Sequence, residues 1–137
     1  MEIMELDQTT AERLVKAAVE KARSIKSPSS IAVVDGGRNL LAFVRMDGAL
    51  LASIEISIGK AYTARSLNMK TSDLAAYAQP GAPLFGLEST HRHPFVIFGG
   101  GVPVTVGGSI VGAIGVAGGT VDQDEEVALA AAKSIES

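Results

Sequence analysis

The sequence predicts an α/β domain of the α+β kind: a five-stranded antiparallel sheet with helices packed on it. Three observations carry this expectation. Glycine-marked reversals join aliphatic runs in both halves of the chain, so strands follow one another as hairpins and not as parallel crossovers. Segments with apolar residues at helical spacing precede, separate and follow those hairpins. The length, 137 residues, is that of a single domain, and no internal repeat, low-complexity tract or linker divides residues 1–137.

At the N-terminal end, Thr9 followed by Glu12 has the spacing of a capping box and opens a helix to about Ile25. Leu14, Ala18, Ala22 and Ile25 form its apolar stripe, and Pro28, which cannot continue the ladder, stops it. Ile31–Asp35 and Leu40–Arg45 are short aliphatic strands joined by Gly36-Gly37-Arg38-Asn39. From about Leu51 to Leu67 the period is helical again. One stripe runs through Leu51, Ile54, Ile58 and Ala61, another through Ile56, Ala64 and Leu67, so this helix is expected to be covered on two sides.

Ser72–Tyr77 reads as one or two helical turns capped by Thr71 or Ser72. Pro80-Gly81 and Pro83 then interrupt a stretch from Gln79 to His93 that has no period, and a loop of that length usually carries function. Phe95–Phe98 is expected as a third strand. Val102–Val106, Gly107-Gly108 and Ser109–Val116 spell a hairpin with a two-residue turn of the I′ type. Asp122–Ile135 closes the chain as a helix whose first-turn acids, Asp122, Asp124, Glu125 and Glu126, complement its dipole.

Composition excludes several functions. Hydrophobic residues at 47% and charged residues at 20% are those of a folded globule. A net charge of −3 with no basic run leaves no electrostatic footprint for nucleic acid. Cysteine is absent, which removes disulfides, thiolate catalysis, iron–sulfur clusters and covalent haem attachment. No stretch reaches the roughly 18 apolar residues of a membrane helix; the nearest, Val102–Val116, is broken by Gly107-Gly108-Ser109. Glu2, Glu5 and Asp7 stand where a secretory signal has basic residues, so a cytoplasmic location is the expectation.

Three places can carry chemistry. Nine of the fifteen glycines lie between Gly99 and Gly119, and the bare backbone of Gly99, Gly100 and Gly101 can either serve tight packing or leave room for a ligand. Gly118-Gly119 before a helix lacks the spacing and lysine of a nucleotide cradle. His91 and His93 are the only histidines; two apart in an extended segment, they point the same way and suit a shared metal or a haem edge. Lys60 lies among small residues on a well-covered helix, where it can act as a desolvated base or carboxylate clamp, or snorkel to solvent. Arg45 and Asp47 close the second strand; they can clamp a carboxylate or pair with each other. The acids of the last helix read as caps, with weak surface binding of iron or calcium by Asp122, Glu125 and Glu126 as the alternative. No nucleophile elbow or Ser/His/Asp motif is present.

Taken together, several stretches resemble the GlcG/HbpS-like family. They are Val34-Asp35-Gly36-Gly37, Phe43-Val44-Arg45-Met46-Asp47-Gly48-Ala49, Gly59-Lys60-Ala61-Tyr62-Thr63-Ala64, Phe98-Gly99-Gly100-Gly101-Val102-Pro103, Val111-Gly112-Ala113-Ile114-Gly115-Val116 and Asp122-Gln123-Asp124-Glu125. Their order and spacing span nearly the whole chain. The resemblance implies a profilin-like or PAS-like fold and homo-oligomers from dimer to octamer. It further implies binding of a small molecule, haem or a related tetrapyrrole, with Arg45, Lys60, His91 and the Gly99–Gly101 backbone as the matching positions. Members often carry His-Glu or His-His before the third strand, whereas this chain reads Glu88-Ser89-Thr90-His91-Arg92-His93. The family also includes proteins encoded beside glycolate or diol utilisation enzymes. A second expectation is therefore an enzyme or accessory protein acting on a small oxygenated metabolite, with Lys60 and Arg45 clamping a carboxylate and His91 moving protons. A purely structural oligomer is the third.

Overall fold

In a computed structural model that describes residues 5–136, the first helix, α1 (Gln8–Ser24), begins earlier than the Thr9–Glu12 spacing suggests. Asp7 is the cap: its carboxylate accepts from the Thr10 N–H at 2.8 Å, and that bond holds the Asp7 carboxyl below its usual range. Strands β1 (Ser30–Asp35) and β2 (Leu40–Arg45) form the expected hairpin. Helices α2 (Ser53–Leu67) and α3 (Thr71–Ala75) follow, and a 3₁₀ turn at Leu87–Thr90 is the one regular piece of the long loop. The chain ends with the hairpin β3 (Gly101–Val106) and β4 (Ser109–Ala117), then helix α4 (Val121–Lys133).

The sheet has four antiparallel strands in the order β2-β1-β4-β3. Alternation along β1 sends Ile31 and Val33 to one face, where they pack with Ile114, Leu14, Ala18 and Val127 beneath α1 and α4. It sends Ala32 and Val34 to the other, against Ala61 and Ala64 of α2. The result is three layers, with α1 and α4 below the sheet and α2 above it.

The expected third strand does not form. Residues 95–98 run over α2 instead of along a neighbouring strand, and the Val96 N–H donates to Thr63 Oγ1 at 2.9 Å. Once that donor is satisfied by a helix side chain, no ladder is needed, and the sheet closes at four strands. Gly107 and Gly108, at φ +58° and +82°, do make the tight turn expected between β3 and β4.

Helix α2 buries a different face from the one its aliphatic residues mark. Its buried residues are Ser53, Ser57, Lys60, Ala61, Thr63 and Ala64, while Leu51 before it is 74% exposed and Ile54, Ile56 and Ile58 are half-buried. The reason lies in the opposing sheet, where Gly101 pairs with Gly115 and Pro103 with Ala113. With no side chains at the glycine pair, α2 lies almost flat on the strands, and only small residues fit between. The bulky aliphatics are left on the outer side.

At α4, Thr120 Oγ1 accepts from the Gln123 N–H at 3.1 Å, and the Gln123 side chain accepts from the Thr120 N–H at 2.9 Å. Thr120→Ala should cost about 1 kcal/mol, read as a lower denaturant midpoint with unchanged slope.

Candidate ligand-binding cleft

The β1–β2 turn projects one cation over α2. Asp35 Oδ1 accepts from the N–H groups of Gly37 and Asn39 at 2.8 and 2.9 Å, an Asx-type turn. That turn holds Arg38 at φ +69°. Arg38 Nη1 donates to Tyr62 Oη and Ser66 Oγ, each at 3.1 Å, and its guanidinium lies 4.7 Å from the Tyr62 ring centroid.

On the other side of Tyr62, the segment leaving the 3₁₀ turn brings both histidines to the same wall. The His93 ring is 5.4 Å and the His91 ring 6.4 Å from Tyr62, centroid to centroid, both edge-on. Phe95, buried, sits 4.1 Å from His91 and 5.9 Å from Tyr62. His91 Nδ1 lies 2.9 Å from Thr90 Oγ1, and its second nitrogen has no hydrogen-bond partner among the described residues. Between this wall and the turn opens a cleft of about 1250 Å³, its apolar surface supplied by Val34, Leu40, Ile56, Ile58 and Val96. The half-exposed isoleucines of α2 thus form one side of it.

Lys60 is elsewhere and is not free. It is 1% exposed, and its Nζ donates to Val116 O at 2.8 Å and to Asp124 Oδ2 at 3.0 Å. Asp124 Oδ1 in turn accepts from the Gly119 N–H at 2.9 Å. Burial pulls the Lys60 ammonium below its ordinary value, and the Asp124 charge opposes the fall. The pair ties α2 to the start of α4 across the end of the sheet, so Asp124, read from sequence as complementing the dipole of the last helix, is the counter-ion of Lys60.

Gly99, Gly100 and Gly101 are buried, and the last two pack against Lys60. A Cβ on Gly100, at φ +127°, would meet Lys60 Nζ at 2.5 Å, and one on Gly101 would strike the Lys60 carbonyl. The bareness of Gly100 and Gly101 thus admits Lys60 and α2, while a Cβ on Gly99 would meet Val121 and Ser72. Arg45 lies at the far end of β2 and lines no cavity with Lys60, so the two do not combine as a carboxylate clamp. Arg45 and Asp47 form no ion pair within 4 Å either. Among the described residues no three His, Asp or Glu side chains converge as a metal site, which leaves Asp122, Glu125 and Glu126 without that role. No helix among the described residues is long and apolar enough to cross a membrane.

Sequence reading alone missed Arg38. The available signal was its place after Asp35-Gly36-Gly37, where an Asx turn aims the next side chain outward.

The chain matches the family model described as "Haem degrading protein HbpS-like" over residues 6–133. It is 43% identical over 127 residues to the uncharacterized 15.0 kDa protein of the dhaT-dhaS intergenic region of Citrobacter freundii, covering 93% of this chain and 89% of that protein. Among solved structures, Klebsiella pneumoniae ORFY superposes with a TM-score of 0.92 at 38% identity, over 97% of this chain and 92% of that one. The PduOC–haem complex superposes with a TM-score of 0.90 at 37% identity, over 96% of this chain and 95% of that one.

Proposed function

The chain belongs to the HbpS-like family, and from that premise we propose that it is a small-ligand-binding protein whose ligand is haem or a related tetrapyrrole. The observation that carries this reading is the convergence of both histidines and Tyr62 on one wall of a cleft of about 1250 Å³, with buried Phe95 packed against their rings and Arg38 in the lining. The haem complex of a relative at 37% identity supports it.

The residues present suit such a group. An iron porphyrin would supply a metal centre that an imidazole nitrogen can hold. His91, with Nδ1 engaged by the Thr90 hydroxyl, offers Nε2, and His93 stands beside it on the same wall. Val34, Ile56, Ile58 and Val96 provide apolar surface for a macrocycle. Among the described residues Arg38 commits only Nη1, to Tyr62 and Ser66, and forms no ion pair within 4 Å, so its remaining N–H groups can take a ligand carboxylate. The same reading places the protein in the cytoplasm as a homo-oligomer, from dimer to octamer; exposed Leu50, Leu51 and Phe85 supply apolar surface for contacts between copies.

The test is a hemin titration followed by absorbance. The wild type should give a saturable Soret shift that disappears in the double variant His91→Ala/His93→Ala. Arg38→Ala should weaken binding by about tenfold, one charge-assisted hydrogen bond, and leave the spectrum unchanged. A titration that is identical in wild type and the double histidine variant would overturn the reading.

A further inference from the structure

A second groove, of about 550 Å³, lies between the end of α1 and the end of β2, away from the histidine cleft. Val19, Ala22, Val44 and Met46 supply its apolar floor. Its rim carries three cations, Arg23 in the last turn of α1, Lys26 just after that helix and Arg45 at the end of β2, with Asp47 as the single acid. None of the four forms an ion pair within 4 Å among the described residues. Three unneutralised cations around one groove are unusual in a chain with a net charge of −3.

The backbone gives a second, independent observation at this rim. Helix α1 ends in a Schellman motif: the Ser27 N–H donates to Ala22 O at 2.9 Å and the Lys26 N–H to Arg23 O at 3.1 Å. The residue after the helix cap must then be left-handed, and glycine is the usual occupant. Here it is Lys26, at φ +57°. A lysine where glycine is the usual occupant points to a use for its side chain.

We propose that this groove binds a small multiply charged anion, a dicarboxylate or a phosphate ester with a short apolar body, independently of the histidine cleft. Arg23, Lys26 and Arg45 supply the countercharge, and the apolar floor takes the carbon skeleton. Asp47 accepts a hydroxyl of the ligand and disfavours anions too compact to avoid it. The volume lies within the roughly 300–1,000 Å³ of small-molecule sites. Arg45, singled out in the sequence as a carboxylate clamp, acquires partners here in Arg23 and Lys26 instead of Lys60.

The experiment is isothermal titration of malate and of glycerol 3-phosphate at constant ionic strength, on wild type, Lys26→Gly, Arg45→Ala, His91→Ala/His93→Ala and Lys133→Ala, a remote surface charge. Lys26→Gly removes the side chain while relieving the backbone, so its Tm should hold or rise as binding falls. The expected result is saturable binding of at least one probe, weakened about tenfold in Lys26→Gly and in Arg45→Ala and unchanged in the other two. Which probe binds separates carboxylate from phosphate. Saturable binding of neither probe, or equal weakening in Lys133→Ala, overturns the proposal.

Discussion

Replacing Lys60 by methionine should lower the unfolding free energy by about 3–5 kcal/mol, among the largest single-residue effects in this molecule. The loss comes from what remains behind. Asp124 Oδ2 is left buried at the end of the sheet with no cation, and Val116 O loses its donor. Changing both partners, Lys60→Met with Asp124→Leu, should restore most of that stability, because no charge is then stranded. A residual deficit of about 1–2 kcal/mol should persist, since the Gly119 N–H and the Val116 carbonyl lose their partners. Denaturant midpoints of wild type, the two single variants and the double variant close the cycle, and a double variant as unstable as Lys60→Met would show that the pair is held by more than its charges.

Removing only the acid gives a second view of the same pair. Asp124→Asn strands the ammonium, whose folded-state pKa already lies below the ordinary 10.5 because of burial. Without the opposing charge it should fall further. The unfolded chain then binds the Lys60 proton more tightly than the folded one, so the variant gains stability as pH rises through the window between the lowered folded value and 10.5. Its deficit against wild type should therefore narrow on the alkaline side and be fully present below the folded value. A deficit that stays constant across that window would place the loss in geometry and not in charge.

The contrast between legible and hidden features follows from range along the chain. The hairpin turns, the Leu14–Ala18–Ala22 stripe and the glycine turn at Gly107-Gly108 are each specified within a few residues, and they stand where the sequence puts them. The two histidines were legible as a unit for the same reason. Arg38 over Tyr62 and Lys60 on Asp124 join residues 24 and 64 positions apart, and only the packing of α2 brings them together. The strand expected at Phe95–Phe98 has a strand's composition, yet Thr63 supplies its hydrogen bond from a helix. The facing of α2 was hidden because it is decided by the surface opposite. Its isoleucines give the stronger apolar signal, but Gly101, Ala113 and Gly115 leave space only for Ser57, Ala61 and Ala64. The run of small residues around Lys60 carried that information, and it becomes readable once paired with glycines inside strands.

That helix-on-sheet approach makes Gly115 a position where a single methyl group should be felt throughout the fold. A Cβ there would strike the Ser57 carbonyl and lie 2.5 Å from the Ala61 nitrogen, both backbone atoms of α2. Backbone in a packed helix cannot swing aside as a side-chain tip can, so α2 must lift from β4 or the strand must bend. Overpacking of this kind costs about 1–3 kcal/mol, and Gly115→Ala should stand at or above the upper end, a Tm loss of roughly 10 °C. Adding Gly101→Ala, directly across the ladder and against the Lys60 carbonyl, removes a second point of the same contact. The pair approaches the whole stability of an ordinary domain, about 5–15 kcal/mol, and should leave little folded protein. Gly107→Ala is the control for glycine removal itself. It has φ +58° and nothing within 4 Å of an added Cβ, so its cost is the left-handed strain alone, about 1–2 kcal/mol. Because α2 carries Tyr62 and one wall of the cleft, Gly115→Ala should also weaken hemin binding where Gly107→Ala does not. Equal melting temperatures for the two alanine variants would mean that α2 does not rest on the glycine pair.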